Sequence, residues 1–478
     1  MVVPRALMAR LKEIVGPTYV LTRPEDVVVY EQDAFLVARA LPDIVVLPGS
    51  TAEVAGVVRL VHEAGVPLVV RGAGTGLNGG SIPIAGGVML VLTRMNRIVE
   101  LDPRNRLAVV EPGAINVDVT AAAAQHGLFY APDPGSQTVS TIGGNVGNNA
   151  GGPHCLSYGV TGNHVLAMEV VLASGDVTWV GSRSADHPGY DLCGVVVGSE
   201  GTLGVVTAIV VKLLRKSQAV RTLLAAFETI DDASQTVSEV IAAGIVPTAM
   251  EMMDGVVMAA VEAAIHAGYP QDAGAALLIE VEGHPESLPR QMKRIEEICR
   301  AHAPRMLRTA ASEQERLLLW KGRKEGAGAL GRLAPSYYLH DGVVPRAKLP
   351  DVMRKVVEVG KAYGLSIGNL FHAGDGNLHP IILFNPREPG IMDKVVRAGE
   401  EILRACVEAG GTITGEHGVG IEKREYMRWM FSDADLMAMQ RVKRSFDPDG
   451  IMNPGKLLPV GERPDVTVRP AMAAGMWT

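Results

Sequence analysis

The sequence predicts an α+β protein of several domains, and three observations lead to that prediction. At 478 residues the chain is too long for a single hydrophobic core. Short runs of β-branched residues alternate with segments whose apolar residues recur at helical spacing. Long glycine-rich stretches connect some of these runs, and the chain holds 54 glycines in all.

Charge and cysteine content narrow the class of function. A net charge of -7 argues against nucleic-acid binding, which depends on clustered lysine and arginine, so we expect a small-molecule substrate. No pair among the four cysteines has the CxxC spacing of an iron–sulfur or zinc site. No uncharged apolar run approaches the roughly 20 residues of a membrane span. We therefore expect a cytoplasmic protein without an integral membrane segment, whose membrane contact, if any, is peripheral.

The first part of the chain carries clear helix and strand signals. Leu7, Leu11 and Val15 share one face of an N-terminal helix. Ser50 and Glu53 form a capping-box pattern at the start of a second helix. The short strand 68–70 then runs directly into the first glycine-rich stretch.

The first glycine-rich stretch, residues 71–80, contains Gly74, Gly76 and Gly79 in a GxGxxG pattern. This pattern alone is a weak indication of a dinucleotide fold, which needs a helix directly after it. Pro83 stands where that helix would run, so the segment reads as strand, loop, strand. Successive backbone N–H groups of such a loop can still bind a phosphate, and Arg71 favours a diphosphate over a simple turn.

Two further stretches contain few side chains that could build a core. The second covers residues 132–162, and the third covers residues 198–204, directly before the predicted strand Val205–Val211. Backbone of this kind is typical of the lining of a flat ligand, although a structural loop has the same composition.

Beyond residue 217 the pattern changes to strands that alternate with amphipathic helices. We expect strands at Leu223–Phe227 and Ala276–Glu280, and helices at residues 235–243, 287–301 and 349–362. Cys406 lies on the apolar face of a further helix, which is typical of a small core residue.

The stretch from Phe371 to Pro380 carries the strongest chemical signal. Taking Asp375-Gly376 as the two-residue loop of a type I′ hairpin pairs His372 with His379. Directly opposed residues have Cβ atoms about 4.5–5.5 Å apart, which lets two imidazoles bind one metal ion. Two surface histidines on a hairpin are the alternative.

Glu416 and His417 stand between two glycines and offer a third metal ligand and a base. Neighbours in an extended strand point to opposite faces, so both can serve one centre only if the glycines bend the chain. The residues alone leave open which of the two is the ligand.

In these motifs the sequence resembles the flavoproteins of the vanillyl-alcohol oxidase and p-cresol methylhydroxylase superfamily. Within it, the sequence is most similar to the FAD-binding large subunits of bacterial glycolate oxidases and to D-lactate dehydrogenases. The shared motifs follow in order over residues 40 to 457. The resemblance implies a two-part FAD-binding domain and an α+β substrate (cap) domain. The expected division is a helical segment (1–38), the FAD-binding domain (39–217), the substrate domain (218–410), a segment that returns to the flavin (411–457) and a tail (458–478).

The resemblance also implies that FAD is bound noncovalently, with the first stretch contacting its diphosphate. The implied cofactor residues are Arg71, Gly72, Ala73, Gly74, Thr75, Gly76, Leu77, Pro134, Gly135, Thr141, Gly143, Gly144, Asn145, Asn149, Gly152, Glu200, Gly201, Val206 and Asn453.

For the reaction, the resemblance implies oxidation of a small 2-hydroxy acid, glycolate or D-lactate, to the 2-oxo acid. His372, His379 and Glu416 would bind a divalent metal, zinc, manganese or iron. His417 would take the hydroxyl proton while hydride passes to flavin N5. Arg323 would bind the substrate carboxylate, although without the resemblance it reads as an exposed helix arginine. Electrons would leave to a partner subunit or a quinone.

Three alternatives stay open at this point. The substrate could be a larger acid of the D-2-hydroxyglutarate type. The two histidines and Glu416 could serve a flavin-free metal-dependent hydrolase. The chain could also be a noncatalytic subunit that binds FAD and relies on a partner for chemistry. Flavin absorbance and its bleaching by substrate separate these possibilities.

Overall fold

The structure, a computed structural model, describes residues 3–184 and 188–461, and the chain divides into two units. Of these described residues, unit 1 contains those within 1–150, 160–215 and 416–461, and unit 2 contains 151–159 and 216–415. The five-segment division predicted from the sequence stays a prediction, and its tail lies outside the described residues from 462 onward.

Unit 1 contains two main sheets and one small one. The four-stranded sheet has the strand order Val20–Leu21, Ile44–Val46, Val88–Val91, Leu68–Arg71. The five-stranded antiparallel sheet has the order Ile98–Asp102, Leu107–Val110, Val205–Lys212, Val165–Val171, Val177–Gly181. Leu214–Arg215 pairs with Leu128–Phe129. The α-helices described in this unit are Arg5–Val15, Pro24–Val27, Thr51–Glu63, Asn116–Ala123, Ile142–Asn148, Leu192–Val196, Met427–Met430 and Asp433–Phe446.

Several local predictions for unit 1 are confirmed. The N-terminal helix buries Leu7, Leu11 and Val15 in a core that it shares with the helix Thr51–Glu63. Ser50 Oγ accepts the Glu53 N–H at 3.2 Å, as the capping-box pattern predicts, whereas the Glu53 carboxylate accepts the N–H of Gly49 at 2.7 Å instead of that of Ser50. The strands on either side of the first glycine-rich stretch pair in parallel, with no helix between them.

The second glycine-rich stretch departs from the prediction, because it contains the helix Ile142–Asn148. Thr141 caps this helix by accepting the Gly144 N–H, and Asn149 ends it at a φ of 54°. Gly143 packs so closely that a Cβ would lie 2.6 Å from the Pro112 Cβ. Gly143 therefore serves close packing of a helix, which composition alone does not separate from a loop.

Unit 2 is a seven-stranded sheet with helices on both faces. Its strand order is Met306–Thr309, Ala219–Phe227, Ala275–Gly283, Ala249–Asp254, Ser366–Phe371, Pro380–Phe384, Ser336–Leu339, and Gly342–Val343 pairs separately with Asn377–Leu378. Its α-helices in the described part are Cys155–Tyr158, Ile230–Ala242, Gly255–Ile265, Leu288–Ala301, Glu313–Ala329, Leu349–Tyr363 and Ile391–Glu408. Successive strand residues alternate between two buried cores, one on each face.

The strands and helices predicted for this unit are present, with one boundary clearly wrong. The helix expected from residue 235 begins at Ile230, because Thr229 caps it by accepting the Asp232 N–H. Cys406 is fully buried on its helix, as expected.

Among residues 3–184 and 188–461, no helix has the length and apolar character to cross a membrane.

The hairpin register predicted around Asp375-Gly376 is wrong. His372 pairs with Asn377, not with His379, and the turn therefore has four residues, 373–376. The Asp375 carboxylate accepts the Asn377 N–H at 3.2 Å, and Gly376 takes a φ of 78°. Because Asn377 and His379 share one face, the two histidines become diagonal neighbours and still lie together.

Candidate active site

Three buried polar side chains meet on one face of the seven-stranded sheet of unit 2. Glu251 lies near the centre of its strand, and the register with the neighbouring strand places it beside His372. Arg323 reaches this face from the helix Glu313–Ala329. Glu251, Arg323 and His372 are only 1%, 6% and 6% exposed. Their polar groups therefore need one another as hydrogen-bond or ion-pair partners.

The carboxylate of Glu251 contacts both neighbours. His372 Nδ1 lies 2.9 Å from each of its oxygens, and the Arg323 guanidinium forms an ion pair with it. Burial raises the pKa of Glu251, but the charge of Arg323 and the contact with His372 outweigh it and lower the pKa. The tautomer of His372 that donates from Nδ1 to Glu251 leaves Nε2 as an acceptor for a further ligand.

The second predicted metal ligand, His379, lies against the first. The two imidazole rings meet edge to face, with centroids 4.9 Å apart. His379 Nε2 lies 3.5 Å from Oδ1 of the buried Asp341. Oδ2 of Asp341 accepts hydrogen bonds from the Thr414 hydroxyl at 2.5 Å and from the Gly415 N–H at 2.9 Å. The segment that ends at Gly415 is therefore held beside the histidine pair.

A second buried carboxylate, that of Glu280, lies on the same helix-covered face of the sheet. It accepts hydrogen bonds from the Thr222 hydroxyl and the Trp320 indole at 2.6 Å, and Arg316 lies 3.1 Å away. His154 stacks on Trp320 and approaches Glu280 to 3.6 Å. Burial raises the pKa of Glu280, but the hydrogen bonds, first that of His154, and the charge of Arg316 together lower it to about 2.

This lowered pKa predicts a dependence of stability on pH. The carboxylate stabilises the fold fully above its unfolded pKa near 4.5 and loses this contribution as pH falls toward 2. The contribution is on the order of 3 kcal/mol. We expect Glu280→Gln to lower the Tm at pH 7 and the difference from wild type to shrink at pH 3, with the exposed Glu286→Gln as control. Equal differences at both pH values would contradict this assignment.

In unit 1 the three glycine-rich stretches lie against one another. The Asn453 amide donates to the carbonyl oxygens of Gly80 at 2.8 Å and Glu200 at 2.6 Å, which joins the first stretch to the third. Gly72 packs on Thr141 so closely that a Cβ would overlap the threonine hydroxyl, which joins the first to the second. The stretches predicted to bind one cofactor are therefore adjacent in this unit.

The predicted cofactor residues differ in their contacts and in the unit to which they belong. The loop that starts at Arg71 follows its strand, and the Arg71 guanidinium donates to the Gln32 carbonyl oxygen at 2.9 Å. A Cβ on Gly135 or on Gly147 would meet no atom within 4 Å, so both leave open space beside the backbone. Gly152 belongs to unit 2, whereas the other predicted cofactor residues belong to unit 1.

Glu416 and His417 belong to unit 1. The Asn148 amide donates to the His417 carbonyl oxygen at 2.6 Å, and the Glu200 carboxylate accepts the Val419 N–H at 2.7 Å. Burial outweighs the hydrogen bonds from the Gly420 and Val419 N–H groups and raises the pKa of Glu200 to about 7. The assembly of Glu416 and His417 with the two histidines of unit 2 stays a prediction.

Sequence reasoning did not assign Glu251 to the site. The available signal was a carboxylate inside an otherwise apolar strand, since a buried charge needs a partner. The partner could not be identified, because Arg323 lies 72 positions away and only the sheet register and helix placement bring the two together.

Comparisons with known proteins agree with this architecture. Residues 42–181 match the family model described as FAD binding domain, and residues 216–457 match FAD linked oxidases, C-terminal domain. The chain is 43% identical to the glycolate oxidase subunit GlcD of Escherichia coli strain K12, over 96% of this chain and 92% of that protein. It is 33% identical to a D-lactate dehydrogenase of Anaerostipes hadrus, over 94% and 97%.

A solved structure supports the fold independently of close sequence similarity. That of p-cresol methylhydroxylase with substrate bound superposes with a TM-score of 0.80 at 16% identity, covering 94% of this chain and 96% of that one. The predicted fold class is thereby confirmed. The matches to two family models in order and the near full-length similarity to flavoenzymes show that the chain belongs to the FAD-linked oxidases, a family of flavin-dependent oxidoreductases.

Proposed function

We propose that the chain oxidises a small 2-hydroxy acid, glycolate or D-lactate, to the corresponding 2-oxo acid. One observation carries the proposal: Arg323 is buried beside the histidine pair, and its Nε has no hydrogen-bond partner among the described residues. A buried guanidinium with an unused N–H is suited to a carboxylate, which it binds through charge-assisted hydrogen bonds. The relatives named above as glycolate oxidase subunit and D-lactate dehydrogenase favour the same substrate class.

The residues of unit 1 fit FAD as the oxidant. The adjacent glycine-rich stretches present backbone N–H groups, and Gly135 and Gly147 leave space that a side chain would otherwise take. When bound, FAD supplies a two-electron acceptor for the hydride of the substrate Cα. The protein's part is to place that carbon, and Arg323 does so by fixing the carboxylate attached to it.

We further propose that His372, His379 and Glu416 hold a divalent metal, zinc, manganese or iron. The donor set fits, because two imidazoles and one carboxylate leave positions for substrate oxygens. The contact between the Glu251 carboxylate and His372 Nδ1 supports the proposal, because it leaves His372 Nε2 to bind a metal ion. Glu416 is the next residue after Gly415, which Asp341 holds beside His379. A bound metal would supply Lewis acidity toward the 2-hydroxyl.

His417 completes the proposed chemistry as the base that accepts the 2-hydroxyl proton. This assignment rests on the resemblance and on the position of His417 directly after Glu416. We also propose that the electrons leave to a partner subunit or a quinone, since the similar GlcD protein is itself named as a subunit.

A panel of 2-hydroxy acids tests the function. We expect the purified, FAD-loaded chain to reduce an artificial dye when glycolate or D-lactate is supplied. L-lactate is expected to react far more slowly. Chelation is expected to remove most activity while FAD stays bound, and added Zn²⁺, Mn²⁺ or Fe²⁺ to restore it. Preference for a larger acid would move the substrate assignment to the 2-hydroxyglutarate class, and no reaction with any acid would refute the proposal.

A further inference from the structure

The turn that follows His417 is held by side chains from all three glycine-rich stretches. Asn78 comes from the first stretch, Asn148 from the second and Glu200 from the third. Asn148 donates its amide to the His417 carbonyl oxygen at 2.6 Å. The Glu200 carboxylate accepts the N–H groups of Val419 at 2.7 Å and of Gly420 at 2.8 Å.

Asn78 completes the arrangement with both its backbone and its side chain. Its carbonyl oxygen accepts the N–H groups of Ile421 at 3.0 Å and Glu422 at 3.2 Å. Its side-chain amide donates to Glu200 at 3.0 Å, so the carboxylate is satisfied by three donors around the turn. Asn78 is fully buried and Glu200 is 6% exposed, so these bonds are shielded from water.

The turn is packed so tightly that its glycines cannot carry side chains. Gly418 has a φ of 85°, and a Cβ there would lie 2.6 Å from both the Asn78 amide nitrogen and a Glu200 oxygen. Gly420 has a φ of 53°, and a Cβ there would overlap the Asn78 backbone. A turn this constrained has one conformation, and His417 enters it through a peptide group that Asn148 fixes.

We propose that Asn78, Asn148 and Glu200 are positioning residues that orient His417 for proton transfer. The inference rests on the proposed function, because the role of His417 as base is itself proposed. None of the three side chains needs to touch substrate. Their contribution is to hold the peptide of His417 and the two amides of the turn, since a base misplaced by about 1 Å can lose about 100-fold in rate.

Asn148 gives the sharpest test, because its side chain is only partly buried. Asn148→Asp keeps the shape but replaces the donor with a charge that repels the His417 carbonyl oxygen, and Asn148→Ala removes the group. Asn105→Ala, at an exposed turn of the same unit, is the matched control. We expect about a tenfold or larger loss of kcat for both Asn148 variants, with unchanged KM and FAD content, and more for the aspartate. The control is expected to match wild type.

Two further measurements separate orientation of the base from general stability. With substrate deuterated at Cα, the isotope effect on kcat is expected to change in the Asn148 variants, and the Tm to stay near that of wild type. Hydrogen exchange of the peptide that spans residues 417–422 is expected to accelerate. Glu200→Gln is expected to lower kcat and accelerate this exchange in the same way, with its FAD content measured because Glu200 is also a predicted cofactor residue; if it fails to fold, the Asn148 variants decide. Unchanged kcat in both Asn148 variants overturns the inference, whereas normal turnover of His417→Ala overturns the base assignment instead.

Discussion

Replacing Arg323 by alanine is expected to lower kcat/KM for glycolate or D-lactate by about 100- to 1,000-fold. The guanidinium is buried and forms the proposed contact with the substrate carboxylate, so its loss removes a desolvated charge-assisted interaction. Arg323→Lys is expected to restore little, because an ammonium lacks the planar fork that binds a carboxylate through two N–H groups. Steady-state kinetics with the FAD-loaded variants measures the effect.

Arg323 also neutralises Glu251, so its variant needs a control for stability. Truncation leaves Glu251 buried without its cation, which costs about 3–5 kcal/mol for a pair of this kind. The double variant Arg323→Ala/Glu251→Gln removes that charge and is expected to recover much of the Tm without recovering activity. A double variant that regains turnover together with its stability would show that Arg323 acts only in folding.

Replacing His417 by alanine is expected to lower kcat by about 100- to 10,000-fold. The variant retains Arg323 and the two unit 2 histidines, so KM and metal content are expected to change far less than kcat. Stopped-flow reduction of the flavin at several substrate concentrations measures both effects.

The His417→Gln variant is the control for packing, since it keeps a polar side chain of similar size without a base. We expect it to be as inactive as the alanine variant and as stable as wild type. Reduction of the flavin at a near-normal rate in either variant would contradict the assignment of His417 and leave His372 and His379 as candidates.

Much of the histidine site could be predicted, although for a partly wrong reason. The Asp375-Gly376 signal indicates a reversal of the chain, but it does not specify the length of the turn. The structure uses four residues and pairs His372 with Asn377. The two histidines remain neighbours, because a shift of the strand register by two residues preserves the face on which a side chain lies.

The contacts around the site could not be predicted to the same degree. Glu251 meets Arg323 only through the strand order of the sheet and the helix that covers it. The helix Ile142–Asn148 likewise depends on Thr141 as its cap and on tertiary packing of Gly143, which override the low helix propensity of glycine. The sequence motifs identify the side chains that carry the chemistry. Contacts between distant parts of the chain determine which groups orient them.

Anaerobic mixing of the purified, FAD-loaded chain with glycolate or D-lactate tests the central claim most directly. Flavin absorbance at about 450 nm is followed, because its loss reports hydride transfer without any electron acceptor or partner. We predict bleaching by at least one of these acids in wild type, and bleaching slowed about 100-fold or more in Arg323→Ala. Flavin that stays oxidised in wild type with its metal restored would contradict the claim that this chain oxidises a small 2-hydroxy acid.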